Sequence, residues 1–286
     1  MNTVTFAICT HNNHDTCLNL LHDLSNQINK NFNVIIQDNS SISCKSNSFH
    51  DFLKKSEFKY IKQYFYGLSE SRNFCALNCD TEFIYFLDDD VRIDSNFASE
   101  VIQITKENKD ITAFGGKSIC FDDNDNILSN SPLILSMVSY FNLGDNTFEL
   151  TKPSDRLIGC NFGVKVKKLN EYGMFKPFLG RISFSNNLLS GEETELIRAF
   201  IENKETVKYT PSLSVKHIIN PSKLTEEWLI KRLGWQAVTE CLSDSKKVPS
   251  HKDWAAFYAN CESLSSTYDQ DLYLEKIYSI VHHLLS

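Results

Sequence analysis

The chain has 286 residues, 42% of them hydrophobic, enough to bury the core of one large domain or of a main domain with a small appendage. Its formal net charge of −7 leaves no excess of Lys and Arg to displace phosphate counterions, which argues against nucleic-acid binding as its main task. No apolar run of membrane-spanning length occurs, and Met1 leads straight into Val4-Thr5-Phe6-Ala7-Ile8 without a signal-peptide pattern. A soluble protein with at most peripheral membrane contact is expected. The nine cysteines are odd in number and include no Cys-x-x-Cys pair, so buried free thiols and a cytoplasmic home are expected rather than a disulfide framework.

In chain order, the apolar run at 4–9 predicts a buried strand and 16–27 a helix. A second strand is predicted at 33–37, a helix at 49–55 and a third strand at 60–64. Residues 69–78 predict a helix, 82–87 a fourth strand and 97–106 another helix. Strands alternating with helices predict a mostly parallel sheet covered on both faces, with ligands beyond the carboxyl ends of its strands. Residues 121–155 are rich in Asn, Asp and Ser and predict loops around a short apolar segment at 133–141. Thereafter 157–166 is strand-like, 192–203 helical, 206–209 a strand and 224–242 helical. The tail at 253–285 predicts two helices, giving a main domain over 1–240 and a helical extension over 241–286. Packing on the main domain, a homodimer contact and a membrane contact are all open roles for that tail.

The strongest chemical signal is Phe86-Leu87-Asp88-Asp89-Asp90-Val91, directly after a core strand. Three carboxylates there repel one another unless a cation neutralises them, and hard oxygen ligands suit Mg²⁺ or Mn²⁺ completed by substrate phosphates. The first two strands also end in polar clusters, Cys9-Thr10-His11-Asn12-Asn13 and Gln37-Asp38-Asn39-Ser40-Ser41. A nucleotide lying across them could give a base N–H to Asp38, although Asp-Asn-Ser-Ser is equally a turn sequence. Neither a Gly-x-Gly-x-x-Gly nor a Walker A sequence is present.

Ile8-Cys9-Thr10-His11-Asn12, Ile35-Ile36-Gln37-Asp38-Asn39-Ser40, Gly67-Leu68-Ser69-Glu70-Ser71-Arg72-Asn73 and Leu87-Asp88-Asp89-Asp90 resemble, in order and spacing, the donor-site motifs of family 2 glycosyltransferases. The resemblance covers about 4–237 and implies the GT-A fold. It implies that Thr10 and Asp38 hold the nucleobase, that Arg72 lies near base or diphosphate and Asp88 near the ribose. Asp90 becomes the principal metal ligand, with Asp89 close to donor sugar or metal.

Leu157-Ile158-Gly159-Cys160-Asn161-Phe162-Gly163 resembles the segment beneath the acceptor, which brings Gly159 and Asn161 toward it; packing glycines explain the same pattern. In Ser190-Gly191-Glu192-Glu193, the acids at a helix start also complement the helix dipole. The family has Glu-Asp here with the second acid as base, which assigns Glu193 as base and leaves Glu192 as the alternative. His217 matches a histidine that joins the metal site. Lys231-Arg232-Leu233-Gly234-Trp235 resembles a helix near diphosphate and acceptor, where Arg232 offsets phosphate charge and Trp235 stacks on a sugar; an amphipathic helix with a buried Trp fits as well.

The resemblance thus implies an inverting transferase using Mn²⁺ or Mg²⁺ and a nucleotide-diphosphate sugar, with a UDP sugar expected. The acceptor is a glycan or lipid-linked glycan hydroxyl, and the site of action is the cytoplasm or the inner face of its membrane. A sugar-1-phosphate nucleotidyltransferase would share the acids but carry a glycine-rich basic loop after the first strand, where this chain has Thr10-His11-Asn12-Asn13-His14. A non-catalytic sugar-nucleotide binder is the remaining alternative.

Overall fold

Apolar residues run without alternation through the first strand, and both of its faces are covered. The computed structural model describes residues 2–243 except 42, 43, 45, 64, 66, 129, 178 and 182–187. The elements begin β1 (Val4–Thr10), α1 (His14–Ser25), β2 (Asn33–Asp38), α2 (Asn47–Lys55), β3 (Lys59–Lys62), α3 (Leu68–Leu77) and β4 (Phe83–Asp88). They continue with β5 (Val91–Ile93), α4 (Phe97–Glu107), β6 (Ile111–Gly115), β7 (Ser118–Phe121), α5 (Pro132–Met137) and β8 (Phe148–Glu149). After these come β9 (Asn161–Lys165), α6 (Val166–Glu171), α7 (Glu192–Glu202), β10 (Thr206–Tyr209), β11 (Val215–Ile218), a 3-10 turn (Pro221–Leu224) and α8 (Glu226–Ser243).

The main sheet has the order β3-β2-β1-β4-β9-β6-β10-β8. The first four strands in this order are parallel, β9 runs antiparallel between β4 and β6, and β8 is an antiparallel edge. Phe6, Ile8, Val34 and Ile36 face a layer formed by Leu20, Leu21 and Leu24 of α1 and by Phe97 and Val101 of α4. Ala7, Ile35, Ile84 and Phe86 face the other way, onto α3 and onto Leu196, Ile197 and Phe200 of α7. This is the mostly parallel, doubly covered α/β architecture that the alternation of elements predicts. It has one consequence for the site: α3 and α7 share a layer, so Arg72 and the acids opening α7 meet.

A second sheet, β5-β11-β7, extends beyond the acids that end β4. The sequence did not point to it, because β5 has three residues and β7 four, too short to show a period. β6 also went unread; its final Gly115 lies so close to β9 that a Cβ there would come within 2.6 Å of the Asn161 carbonyl oxygen. Within 121–155, expected to be mostly loop, α5 starts at Pro132 with the Ser131 hydroxyl accepting from the Ile134 N–H, a standard cap. Only the second half of 157–166 is a strand. The predicted boundary at 240/241 falls within α8, and the two helices predicted at 253–285 lie outside the described residues. Among those residues, no helix is long and apolar enough to cross a membrane.

Candidate active site at the carboxyl ends of the sheet

Parallel pairing places the ends of the central strands side by side. In register, Thr10 lies beside Asp38, and Cys9 beside Asp88. Beyond these ends opens a cleft of ≈ 780 Å³ whose lining includes Thr10, Asp88, Asp89, Asp90, Arg181 and Lys223. The β11–β5 pairing puts His217 opposite Val91, and the Ile218 N–H donates to the Asp90 carbonyl at 2.9 Å. The small sheet thereby brings His217 to the acids from a point far along the chain.

The three consecutive acids diverge. Asp88 accepts from Arg72 Nη2 at 3.1 Å. Asp89 accepts from the Thr10 hydroxyl at 2.6 Å and from Asn13 Nδ2 at 2.9 Å. Asp90 meets His217 Nε2 at 3.1 Å through Oδ1 and Lys223 Nζ at 3.1 Å through Oδ2. Each of the three adjacent carboxylates thus has its own set of partners, a guanidinium on Asp88, neutral donors on Asp89, and an imidazole with an ammonium on Asp90. Burial and then the Asp90 charge push the Asp89 carboxyl up to about 7. Burial likewise disfavours charge on Asp90, but His217 and Lys223 outweigh it and hold that carboxyl well below the usual range. In return Asp90 overcomes burial and pushes the His217 imidazole up to about 10.

Among the described residues no group of three or more His, Cys, Asp or Glu converges as a cation site. What the chain offers a divalent ion is a carboxylate and an imidazole side by side, with a lysine ammonium as stand-in cation on the other carboxylate oxygen. That donor pair fits Mn²⁺ or Mg²⁺ once His217 gives up its proton, because a metal-binding imidazole is neutral; both ions take few protein ligands and fill the rest with water and substrate phosphate.

Arg72 is buried and packs against Phe86, Phe162 and Phe175, its guanidinium carbon 5.6–5.8 Å from the ring centroids. It donates to Glu192 Oε1 at 2.6 Å, to Asp88 and to the Gly159 carbonyl at 2.8 Å. Burial works against its charge, but Glu192 and Asp88 raise its pKa further above the ordinary value. The donations tie α3, the end of β4, the Gly159 turn and the start of α7 into one unit.

Gly191, at φ +94°, turns the chain into α7 in a conformation that favours glycine. Glu193 follows Glu192 directly, yet among the described residues no ion pair or side-chain hydrogen bond holds its carboxylate. Burial, reinforced by the Glu192 charge, pushes that carboxyl up to about 7. A Cβ on Gly159 would lie 3.1–3.3 Å from the Glu193 carboxyl atoms, so the missing side chain leaves room for the acid.

The other residues singled out in the sequence lie elsewhere. Asp38 is fully buried and accepts from the Ser40 N–H at 2.8 Å and the Tyr60 hydroxyl at 2.6 Å, with His14 Nε2 at 3.0 Å. Burial opposes its charge, but these partners bring its carboxyl down to about 2. Its oxygens are turned inward, whereas Asn39 lines the cleft. Asn161 is fully buried: it accepts from the Tyr85 hydroxyl and donates to the Lys117 and Leu213 carbonyls, a link within the sheet rather than a cleft residue. Arg232 is buried on α8 and donates to the Ser190 hydroxyl at 3.1 Å, steadying the approach to α7. Trp235 is half-buried on the same helix, and its carbonyl accepts from Thr239.

Sequence reasoning missed Tyr60, Arg181 and Lys223, and placed Asn13 in the polar cluster after the first strand without giving it a role. Arg181 faces the cleft with Nη1 on the Leu189 carbonyl, and burial lowers its pKa. No spacing marks these residues, since each reaches the site from a separate loop or edge strand.

The family model described as Glycosyl transferase family 2 matches residues 5–173. The chain belongs to that family. Its chemistry is therefore glycosyl transfer, and the cleft holding the family's donor-site sequences is its candidate active site. No curated protein matches the sequence. Among solved structures, the mannosyltransferase PcManGT from Pyrobaculum calidifontis, in complex with GDP-Man and Mn²⁺, is 12% identical with a TM-score of 0.61; the match covers 98% of this chain and 84% of that one. S. aureus TarS is 16% identical with a TM-score of 0.54, covering 93% of this chain and 44% of that one. Residues 1–349 of TarS in complex with UDP give 13% identity and a TM-score of 0.54, covering 96% and 69%. This family 2 chain thus spans less than half the length of the longer TarS chain, and at such identities the likeness shows the GT-A fold alone.

Proposed function

We propose that this family 2 enzyme transfers a sugar from a nucleotide-diphosphate donor to a hydroxyl acceptor by single displacement with inversion. The observation that carries the reading is the contrast between Glu192, locked to Arg72, and Glu193, which has no ion-pair partner among the described residues and a carboxyl near neutrality. A group poised near the working pH suits a general base. Glu193 takes the proton from the acceptor hydroxyl as that oxygen attacks the anomeric carbon. Arg72 keeps Glu192 and Asp88 compensated, so the site is not flooded with repelling charge. Asp90 and His217 are the residues that would hold a divalent ion, which supplies stabilisation of the negative charge growing on the leaving diphosphate.

The nucleoside lies across Thr10–Asn12 and Asn39, with Asp38 bracing that turn from behind through Ser40. UDP sugars are the first candidates, supported by the family's donor-site sequences and by the UDP in the TarS complex; GDP sugars are the contrast. The acceptor is a glycan or lipid-linked glycan. The loop after β1, Thr10-His11-Asn12-Asn13-His14, lacks the glycines and cations that nucleotidyl transfer calls for. The test is a panel of UDP and GDP sugars with MnCl₂ and hydroxyl acceptors, read by nucleoside diphosphate release and by the product's anomeric coupling in NMR. Inverted product is expected; retention of configuration, or pyrophosphate exchange in place of sugar transfer, contradicts the proposal.

A further inference from the structure

Lys223 stands six residues after His217, on the short 3-10 turn that follows β11. That turn is fixed by Pro221 at its start, by Asn220 Oδ1 accepting from the Ser222 N–H at 2.9 Å, and by the Lys223 N–H donating to the Asn220 carbonyl at 2.9 Å. Its backbone is set, while the four-carbon side chain keeps its rotatable reach. The ammonium lies 3.1 Å from Asp90 Oδ2, on a carboxylate only 16% exposed, and the lysine side chain itself is 34% exposed along the cleft. His217 holds the other oxygen, so both Asp90 oxygens are engaged by side chains of this protein.

We infer that Lys223 is a tethered cation that holds Asp90 until a divalent ion arrives, and that then turns to the donor's diphosphate. This rests on reading Asp90 and His217 as the cation pair. Charge drives the exchange. An ion on Asp90 brings two positive charges against the ammonium and removes its counter-charge, so Lys223 leaves. A diphosphate arriving with the ion offers the freed ammonium a new anionic partner inside the same cleft, where Arg181 also faces. A divalent ion alone must therefore compete with Lys223. An ion taking Asp90 and His217 releases the His217 proton to solvent, and an accompanying diphosphate pairs the freed ammonium, so metal and donor bind with positive coupling.

The test is calorimetric titration of wild type and Lys223→Met, first with MnCl₂ alone and then with UDP and GDP at saturating MnCl₂. The variant is expected to bind Mn²⁺ alone about five-fold more tightly, its competitor being gone. It is expected to bind nucleoside diphosphate in Mn²⁺ about ten-fold more weakly, one phosphate cation being lost. The opposite signs separate this role from a structural one, because a loosened turn would weaken both. Lys223→Arg keeps the charge and should retain most of the diphosphate affinity. Equal or weaker Mn²⁺ binding by Lys223→Met, or undiminished diphosphate binding, overturns the inference. Wild-type protein that binds neither Mn²⁺ nor nucleotide overturns the reading of the cleft itself. Wild type that binds both, beside a variant of unchanged affinities, overturns the lysine's role alone.

Discussion

The guanidinium of Arg72 lies 2.6 Å from the carboxylate of Glu192, and this buried pair sorts two consecutive acids into different chemical roles. Glu192 is compensated and held; Glu193 is left near neutrality beside Gly159. Breaking such a pair leaves a buried charge without its partner, which costs about 3–5 kcal/mol. Arg72→Met should therefore destabilise the fold by roughly that amount in urea unfolding. Arg72→Met combined with Glu192→Gln should cost less than the sum of the two single changes, because the second removes the stranded charge. Strict additivity would show that the pair is energetically idle.

As the proposed base, Glu193 must be ionised to act, and its carboxyl is pushed up to about 7. Activity should therefore climb as pH rises through about 7 and fall away below it. Glu193→Gln should lower kcat by about 10²–10⁴-fold and remove that inflection while leaving nucleotide binding intact. Glu192→Gln should instead act mainly on stability. A pH–rate profile for each variant distinguishes the two acids.

Gly159 leaves room for the Glu193 carboxyl, the proposed base. Gly159→Ala puts a methyl group 3.1–3.3 Å from the Glu193 carboxyl, close enough to move a flexible side chain without breaking the backbone. A displaced base loses its line to the acceptor, so kcat should drop by about ten-fold or more, with a stability change under about 1 kcal/mol. Steady-state kinetics beside a thermal melt checks both halves.

Asp38 carries a pH signature of its own. Its folded carboxyl sits at about 2 against an ordinary 3.8, so it binds its proton less readily when folded. The resulting stability is fully present above about pH 4 and is lost as pH falls toward 2, a total of about 2 kcal/mol. Asp38→Asn should erase that segment of the unfolding-versus-pH curve. Tyr60→Phe, which removes one 2.6 Å hydrogen bond, should cost about 1 kcal/mol at neutral pH.

Much of the site's location was readable because parallel strands bring their ends together whatever lies between. Val4-Thr5-Phe6-Ala7-Ile8 and Phe83-Ile84-Tyr85-Phe86-Leu87 announce core strands, and Thr10 and Asp88–Asp90 follow them directly. Asp38 shows where that logic stops. A polar residue at a strand end can turn inward as easily as outward, and only Tyr60 on the neighbouring strand and His14 on α1 decide which. Asn161 also looked like a cleft residue, yet the antiparallel β9 carries it into the sheet, where its amide joins Tyr85 to the Lys117 and Leu213 carbonyls. The second sheet was illegible because its strands are too short for periodicity, and with it went the geometry that sets Lys223 on Asp90. The sequence shows three adjacent acids alike, whereas the fold distinguishes them: Arg72 meets Asp88, Thr10 and Asn13 meet Asp89, and His217 and Lys223 meet Asp90.

Asp90 is the carboxylate on which the proposed donor site depends most. The direct measurement is nucleoside diphosphate release from the preferred donor at saturating MnCl₂, comparing wild type with Asp90→Asn. Loss of the rate by about 100-fold or more, with the fold intact by thermal melt, is the predicted result. An Asp90→Asn enzyme that turns over at the wild-type rate contradicts it.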